Sequence, residues 1–140
     1  MRKDRHRIFF FFLALLIGGC SAHPSIVGTW QNKNQDGTTI RIKFLSNSRF
    51  EITSEAGHTP ESWGTFGLSG NEITLQTTGS RQAGFCTQTG TYSYTLGDRK
   101  LSLEPVNDPC SERISLLKRM WEHVEEFVNI VFFPALQSTI

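Results

Sequence analysis

The stretch "NDPCSERISLLKRMWEHVEEFVNIVFF", residues 107–133, decides the fold, and it reads in two ways. Asp108 suits a helix cap, and Pro109 suits the first helical position, where a missing N–H costs nothing. Ile114, Leu117, Trp121 and Val124 then fall at helical spacing. Phe127, Val128 and Val131 prolong that stripe until Pro134 stops it. In this reading the segment is one long amphipathic helix. In the other, a short helix ends near Lys118 and Met120 to Val124 returns as a strand. What the preceding residues need chooses between them.

From Ile26 to Val106 the apolar period is two. "TIRIKF" sets Ile40, Ile42 and Phe44 against Arg41 and Lys43, and "RFEIT" sets Phe50 and Ile52 against Arg49, Glu51 and Thr53. "EITLQ", "YSYTL" and "KLSLE" repeat the pattern. Turn signals separate them at Asp36-Gly37, Ser46-Asn47-Ser48, Ser69-Gly70-Asn71 and Gly97-Asp98. Seven strands result: Val27–Gln31, Thr38–Leu45, Arg49–Ser54, Ser62–Leu68, Glu72–Thr77, Thr91–Leu96 and Lys100–Val106. Links this short join neighbours antiparallel. A sheet with one dry face must bury it, and closure into a small barrel takes about eight strands. The missing strand favours the second reading of residues 107–133. The expectation is an all-β, antiparallel up-and-down barrel of about eight strands with a C-terminal helix. The helical period over Ile114 to Val131 keeps the long helix open. The apolar end "NIVFFPALQSTI" packs outside the barrel or touches a membrane.

The other end of the chain has the form of a secretory signal. Arg2, Lys3, Arg5 and Arg7 precede the apolar run Ile8 to Ile17, which at ten residues is too short to span a bilayer. The tetrad Ile17-Gly18-Gly19-Cys20 resembles a bacterial lipobox, in which the cysteine becomes the N-terminus and its thiol receives diacylglycerol. The resemblance implies a lipoprotein held by several chains, palmitate among them, on a membrane that it does not cross. No twin-arginine pair occurs in the charged region, which points to general secretion. Ser21 stands where an Asp would favour inner-membrane retention in enterobacteria-like systems, so the expected place is the cell envelope, on the periplasmic face of the outer membrane. Residues 1–19 are then signal peptide, 20–25 a lipidated tether, 26–124 the barrel domain and 125–140 a tail.

Four of the fourteen Lys and Arg and one of the thirteen Asp and Glu lie in residues 1–19. The remaining 121 residues carry ten basic and twelve acidic side chains, which leaves no basic stripe for nucleic acid. With Cys20 assigned to lipid, Cys86 and Cys110 are left in an oxidising compartment, where two remaining cysteines usually pair. Neither has a CxxC spacing, a nearby histidine or a third ligand, so a structural disulfide is expected rather than a metal or reactive site.

Two further features carry a resemblance. Gly28-Thr29-Trp30 is the Gly-X-Trp that opens the first strand of lipocalin-like barrels. Cys86, Gly90, Tyr92, Tyr94, Leu101 and Leu103, followed by Asp108, Cys110, Arg113, Leu117 and Trp121, match the spaced pattern of a family of small bacterial lipocalin-like (calycin-type) lipoproteins. The resemblance spans roughly residues 26 to 123 and departs from the family pattern after Trp121. It implies that Trp30 plugs the closed end of the barrel, with an Arg lying on its ring. Arg113 is the candidate and Arg119 the reserve.

Little in the chain suggests catalysis. No two of His6, His23, His58 and His123 have metal-ligand spacing, and Gly-rich phosphate loops are absent. Glu122, Glu125 and Glu126 beside His123 read as a solvated face. No catalytic residue, metal or cofactor is expected. The aromatics Phe44, Phe50, Trp63, Phe66, Tyr92 and Tyr94, with Phe85, are placed as the lining or rim of the barrel. Such a barrel is either filled by side chains or holds one small apolar ligand. The first function expected is a non-enzymatic binding module for a small hydrophobic ligand. The alternatives are a protein-binding barrel of the periplasmic protease- or lysozyme-inhibitor type, using the loops 54–62 and 77–84, and a structural envelope lipoprotein.

Overall fold

The computed structural model describes residues 25–54 and 59–125. It contains β1 (Gly28–Lys33), β2 (Thr39–Phe44), β3 (Arg49–Ser54), β4 (Ser62–Ser69), β5 (Glu72–Ser80), β6 (Gly90–Gly97) and β7 (Lys100–Asn107). A helix, α1 (Ser111–Leu117), and a last strand, β8 (Met120–Val124), follow. Every strand pairs antiparallel with its sequence neighbour, and β8 pairs with both β7 and β1, so the barrel is closed.

Closure settles residues 107–124 as a short helix followed by a strand. Without β8, the backbones of β1 and β7 would each present an unpaired edge. Thr29↔Val124 and Gln31↔Glu122 satisfy one edge, and Lys100↔Glu122 and Ser102↔Met120 the other. The helix ends where the Leu117 carbonyl accepts both the Arg119 N–H at 2.7 Å and the Trp121 indole N–H at 3.2 Å. The helical stripe is used all the same. Leu117 from α1 and Trp121 from β8 are both fully buried, reached by a turn instead of by one continuous helix.

The start of α1 departs from the sequence reading. Cys110, not Asp108, is the N-cap residue, and no side chain caps the helix. Asp108 Oδ1 accepts the Cys110 N–H at 2.8 Å, one step upstream. The Asp108 carboxylate is held there by its pairing with Arg113.

The two poles of the barrel differ. At one lie the tight β2–β3, β4–β5 and β6–β7 turns and the entry of the chain at Ile26. The β6–β7 turn puts Asp98 and Arg99 at φ 41° and 64°, the left-handed pair that suits the twist of a two-residue hairpin. The interior here is filled. Phe44 and Phe66 meet edge to face at 5.1 Å, and Phe50, Ile42, Ile73 and Leu75 are buried with them. Each such buried side chain contributes roughly 1.5–3 kcal/mol of apolar stabilisation. The opposite pole carries the turn 34–38, the segment 81–89 and the connection 108–119 that holds α1. It is the open end.

Candidate functional site

The open end holds a cavity of about 720 Å³. Ile40 of β2, Ile52 of β3 and Thr77 of β5 reach it from the barrel wall, because alternation turns them inward near the strand ends. Phe85 enters from the β5–β6 connection, and Arg113 and Leu116 enter from α1. Polar groups surround these: Ser54, Ser62, Ser80, Glu61, Arg81 and Glu112. A second recess of about 380 Å³ lies between α1 and the 34–38 turn, and Leu116 contributes to the walls of both.

Below the cavity lies a buried polar network. Arg113 Nε donates to Asp108 Oδ2 at 2.6 Å, and Nη2 donates to Asp108 Oδ1 and to the Gln88 carbonyl, each at 2.7 Å. The Tyr92 hydroxyl donates to the same Asp108 Oδ2. The Asp108 side chain is fully buried and Arg113 nearly so, and both carboxylate oxygens are used. Burial alone would raise the Asp108 pKa; hydrogen bonds from Arg113, Tyr92 and the Cys110 amide outweigh it and hold the carboxyl below its ordinary value. Burial and the adjoining carboxylate both push the Tyr92 phenol well above its ordinary value. Burial works against the Arg113 charge, but Asp108 reverses this and raises its pKa. Gly90 borders the network so closely that an added Cβ would fall 2.3 Å from Asp108 Oδ2 and 2.7 Å from Arg113 Nη2.

These residues explain part of the sequence pattern. Gly90, Tyr92, Asp108, Cys110 and Arg113 are separated in the chain but meet at one place. Cys110 is bonded to Cys86, with Cα atoms 5.9 Å apart, and so ties the β5–β6 connection to the start of α1. Cys86 itself faces the cavity.

The other assignments need correction. None of Phe44, Phe50, Trp63, Phe66, Tyr92 and Tyr94 lines the mouth cavity. Phe44, Phe50 and Phe66 pack the closed half, and Tyr92 is core with its hydroxyl in the network. Tyr94 donates to the Gly70 carbonyl at the closed pole, 3.1 Å away. Trp63 points outward: it pairs with Glu51, opposite in parity to the inward Phe50↔Gly64 pair, and rests against Gly79. Only Phe85 of the seven aromatics lines the cavity.

Nor does Arg113 lie on Trp30. Its donors are turned toward Asp108, Gln88 and Thr77 near the mouth, whereas Trp30 sits near the closed pole with its indole N–H on the Ile26 carbonyl at 2.8 Å. Arg119, the reserve, bonds Asn34 and the Ser115 carbonyl instead. The ring that meets Trp30 is His123, edge-on at 5.0 Å, from the neighbouring position on β8. Gly28 makes room for it. Its φ of 143° suits glycine, and a Cβ there would lie 2.9 Å from the His123 Nε2.

Cys20, the signal and most of the tether and tail lie outside the described residues. Among the described residues, no three His, Cys, Asp or Glu side chains gather where a metal ion could sit. The mouth cavity and the network beneath it are the candidate site. In comparisons with known proteins, no family model, no curated protein and no solved structure matches the chain.

Proposed function

We propose that the chain is a lipid-anchored protein of the bacterial envelope, akin to the small lipocalin-like lipoproteins, whose barrel binds a small hydrophobic ligand without catalysis. The observation that carries the binding reading is the cavity. Its volume of about 720 Å³ lies within the roughly 300–1,000 Å³ of ordinary small-molecule sites. It opens at the pole where the chain places its longer connections, and it combines an apolar wall with a few polar groups. The Ile17-Gly18-Gly19-Cys20 tetrad supports the anchor, and the convergence of Gly90, Tyr92, Asp108, Cys110 and Arg113 supports the family resemblance.

Native mass spectrometry of the intact protein, extracted from the membranes of its own host, tests this. A small hydrophobic mass should co-purify with the unaltered chain. It should be absent from Ile52→Trp, which fills the cavity from its wall. No bound mass on either protein, with a protein partner crosslinked at the mouth, would overturn the reading in favour of a protein-binding barrel.

A further inference from the structure

One side chain of the cavity is both deeply buried and incompletely used. Arg113 is only 8 % exposed and lines the cavity. A guanidinium has five N–H donors. Nε and Nη2 spend theirs on Asp108 and the Gln88 carbonyl at 2.6–2.7 Å. Nη1 carries two N–H groups; among the described residues it donates to the Thr77 hydroxyl at a long 3.5 Å, and the Tyr92 hydroxyl beside the guanidinium gives its own proton to Asp108. Thr77 also lines the cavity. A donor is thus left over where a ligand would sit, and a buried donor calls for an acceptor.

Charge decides which acceptor. The guanidinium charge is already matched by Asp108 at 2.6 Å, so an arriving anion would meet a neutral pair. Among the described lining residues Arg81 and Arg113 match Glu61 and Glu112, and Asp108 behind Arg113 tips the balance to acid. At Arg113 a carboxylate would lose its hydration and meet a guanidinium already committed to Asp108. An uncharged carbonyl oxygen accepts the same N–H without that penalty. Ile40, Ile52, Phe85 and Leu116 provide the surface for an aliphatic tail.

We infer that the cavity takes an uncharged amphiphile, an amide or ester of an aliphatic acid and not the free acid, with its carbonyl on Arg113 Nη1. This rests on the proposed reading of the cavity as a ligand site. Octanamide and octanoate share one tail and differ in the headgroup, which makes them the probes. Each is titrated into the intact protein in phospholipid nanodiscs, with empty nanodiscs as the blank. NMR follows the Ile52 and Leu116 methyl groups and the Arg113 guanidinium nitrogens. Arg113→Lys would strip Asp108 of its partner and endanger the fold, so the readout is made on the unaltered chain.

Octanamide should bind about tenfold more tightly than octanoate and should shift the Arg113 nitrogen signals. Equal or tighter binding of octanoate, or methyl shifts without a change at Arg113, would overturn the headgroup assignment and leave the cavity standing as a ligand site. Methyl groups silent toward both probes would overturn the cavity reading itself.

Discussion

Asp108 illustrates how one buried residue can organise a site. Its two oxygens accept from Arg113, Tyr92 and the Cys110 amide, and the same pairing orients Arg113 toward the cavity. Asp108→Asn leaves Arg113 buried beside a neutral amide, which should lower stability in urea unfolding by about 3 kcal/mol. The pH dependence has a definite sign. The folded-state carboxyl titrates below its ordinary value, so between the two values the unfolded chain binds more protons. The stabilisation is present above about pH 4 and is lost as pH falls toward the folded-state value. Tyr92 acts at the other limb. Its phenol stays protonated in the fold after the unfolded chain has released the proton, so stability should fall as pH rises beyond about 10. Urea midpoints measured across pH should show both limbs. Asp108→Asn should flatten the acid limb and Tyr92→Phe the alkaline one.

Residue roles were only partly legible in the sequence. Trp63 and Phe66 differ in parity within one strand, so an unbroken β4 cannot point both inward; that signal was present in the sequence, and the register with β3 settles that Trp63 is the outward one. The Asp108–Arg113 pair gave no such sign. Nothing in spacing or charge distinguishes it from a surface pair, and only the joint occurrence of Gly90-X-Tyr92 with Asp108-X-Cys110-X-X-Arg113 marks it. His123 beside Trp30 was equally hidden, because it follows from the register between β1 and β8.

Among the elements, α1 and β8 show tertiary structure overriding local preference. Residues 114–124 carry a true helical period, but two open strand edges outweigh it. The need for an eighth strand could be counted from the alternation of the first seven. The cavity could not be inferred in this way, because several of its walls come from connections rather than strands. The disulfide belongs to this scale too, since it joins the β5–β6 connection to the start of α1. A closed loop with a sequence separation of 24 residues contributes about 3 kcal/mol in the chain-entropy account. Replacing both Cys86 and Cys110 by Ala should lower the urea-derived stability by that amount, with the barrel's strand signature retained in circular dichroism. Non-reducing peptide mapping should recover Cys86 joined to Cys110.

At the scale of the molecule, the barrel is filled at one pole and hollow at the other. Large aromatics occupy the half nearest the tight hairpins, and smaller or polar side chains are left toward the mouth. Taken with the proposed acylation, this polarity bears on how the protein sits in the cell. Cys20→Ser removes the thiol that would carry lipid. Labelling with a palmitate analogue should tag the unaltered chain and not the variant; equal labelling of both would sink the assignment of Cys20.

The entry of the chain at Ile26 has a geometric consequence for that anchor. Ile26 is buried at the closed pole, and its carbonyl holds the Trp30 indole, so the leash starts from the end opposite the mouth. Cys20 and Ile26 are six residues apart, a span of at most about 20 Å. That is about the height of the tilted strands and falls short of the loops and helix beyond them. If Cys20 carries lipid as proposed, an anchor this short on the filled pole would keep the opening from being laid flush on the bilayer. On the proposed reading, a ligand would then arrive across water, or from a surface facing the anchoring one, and not by sideways uptake from the anchoring bilayer.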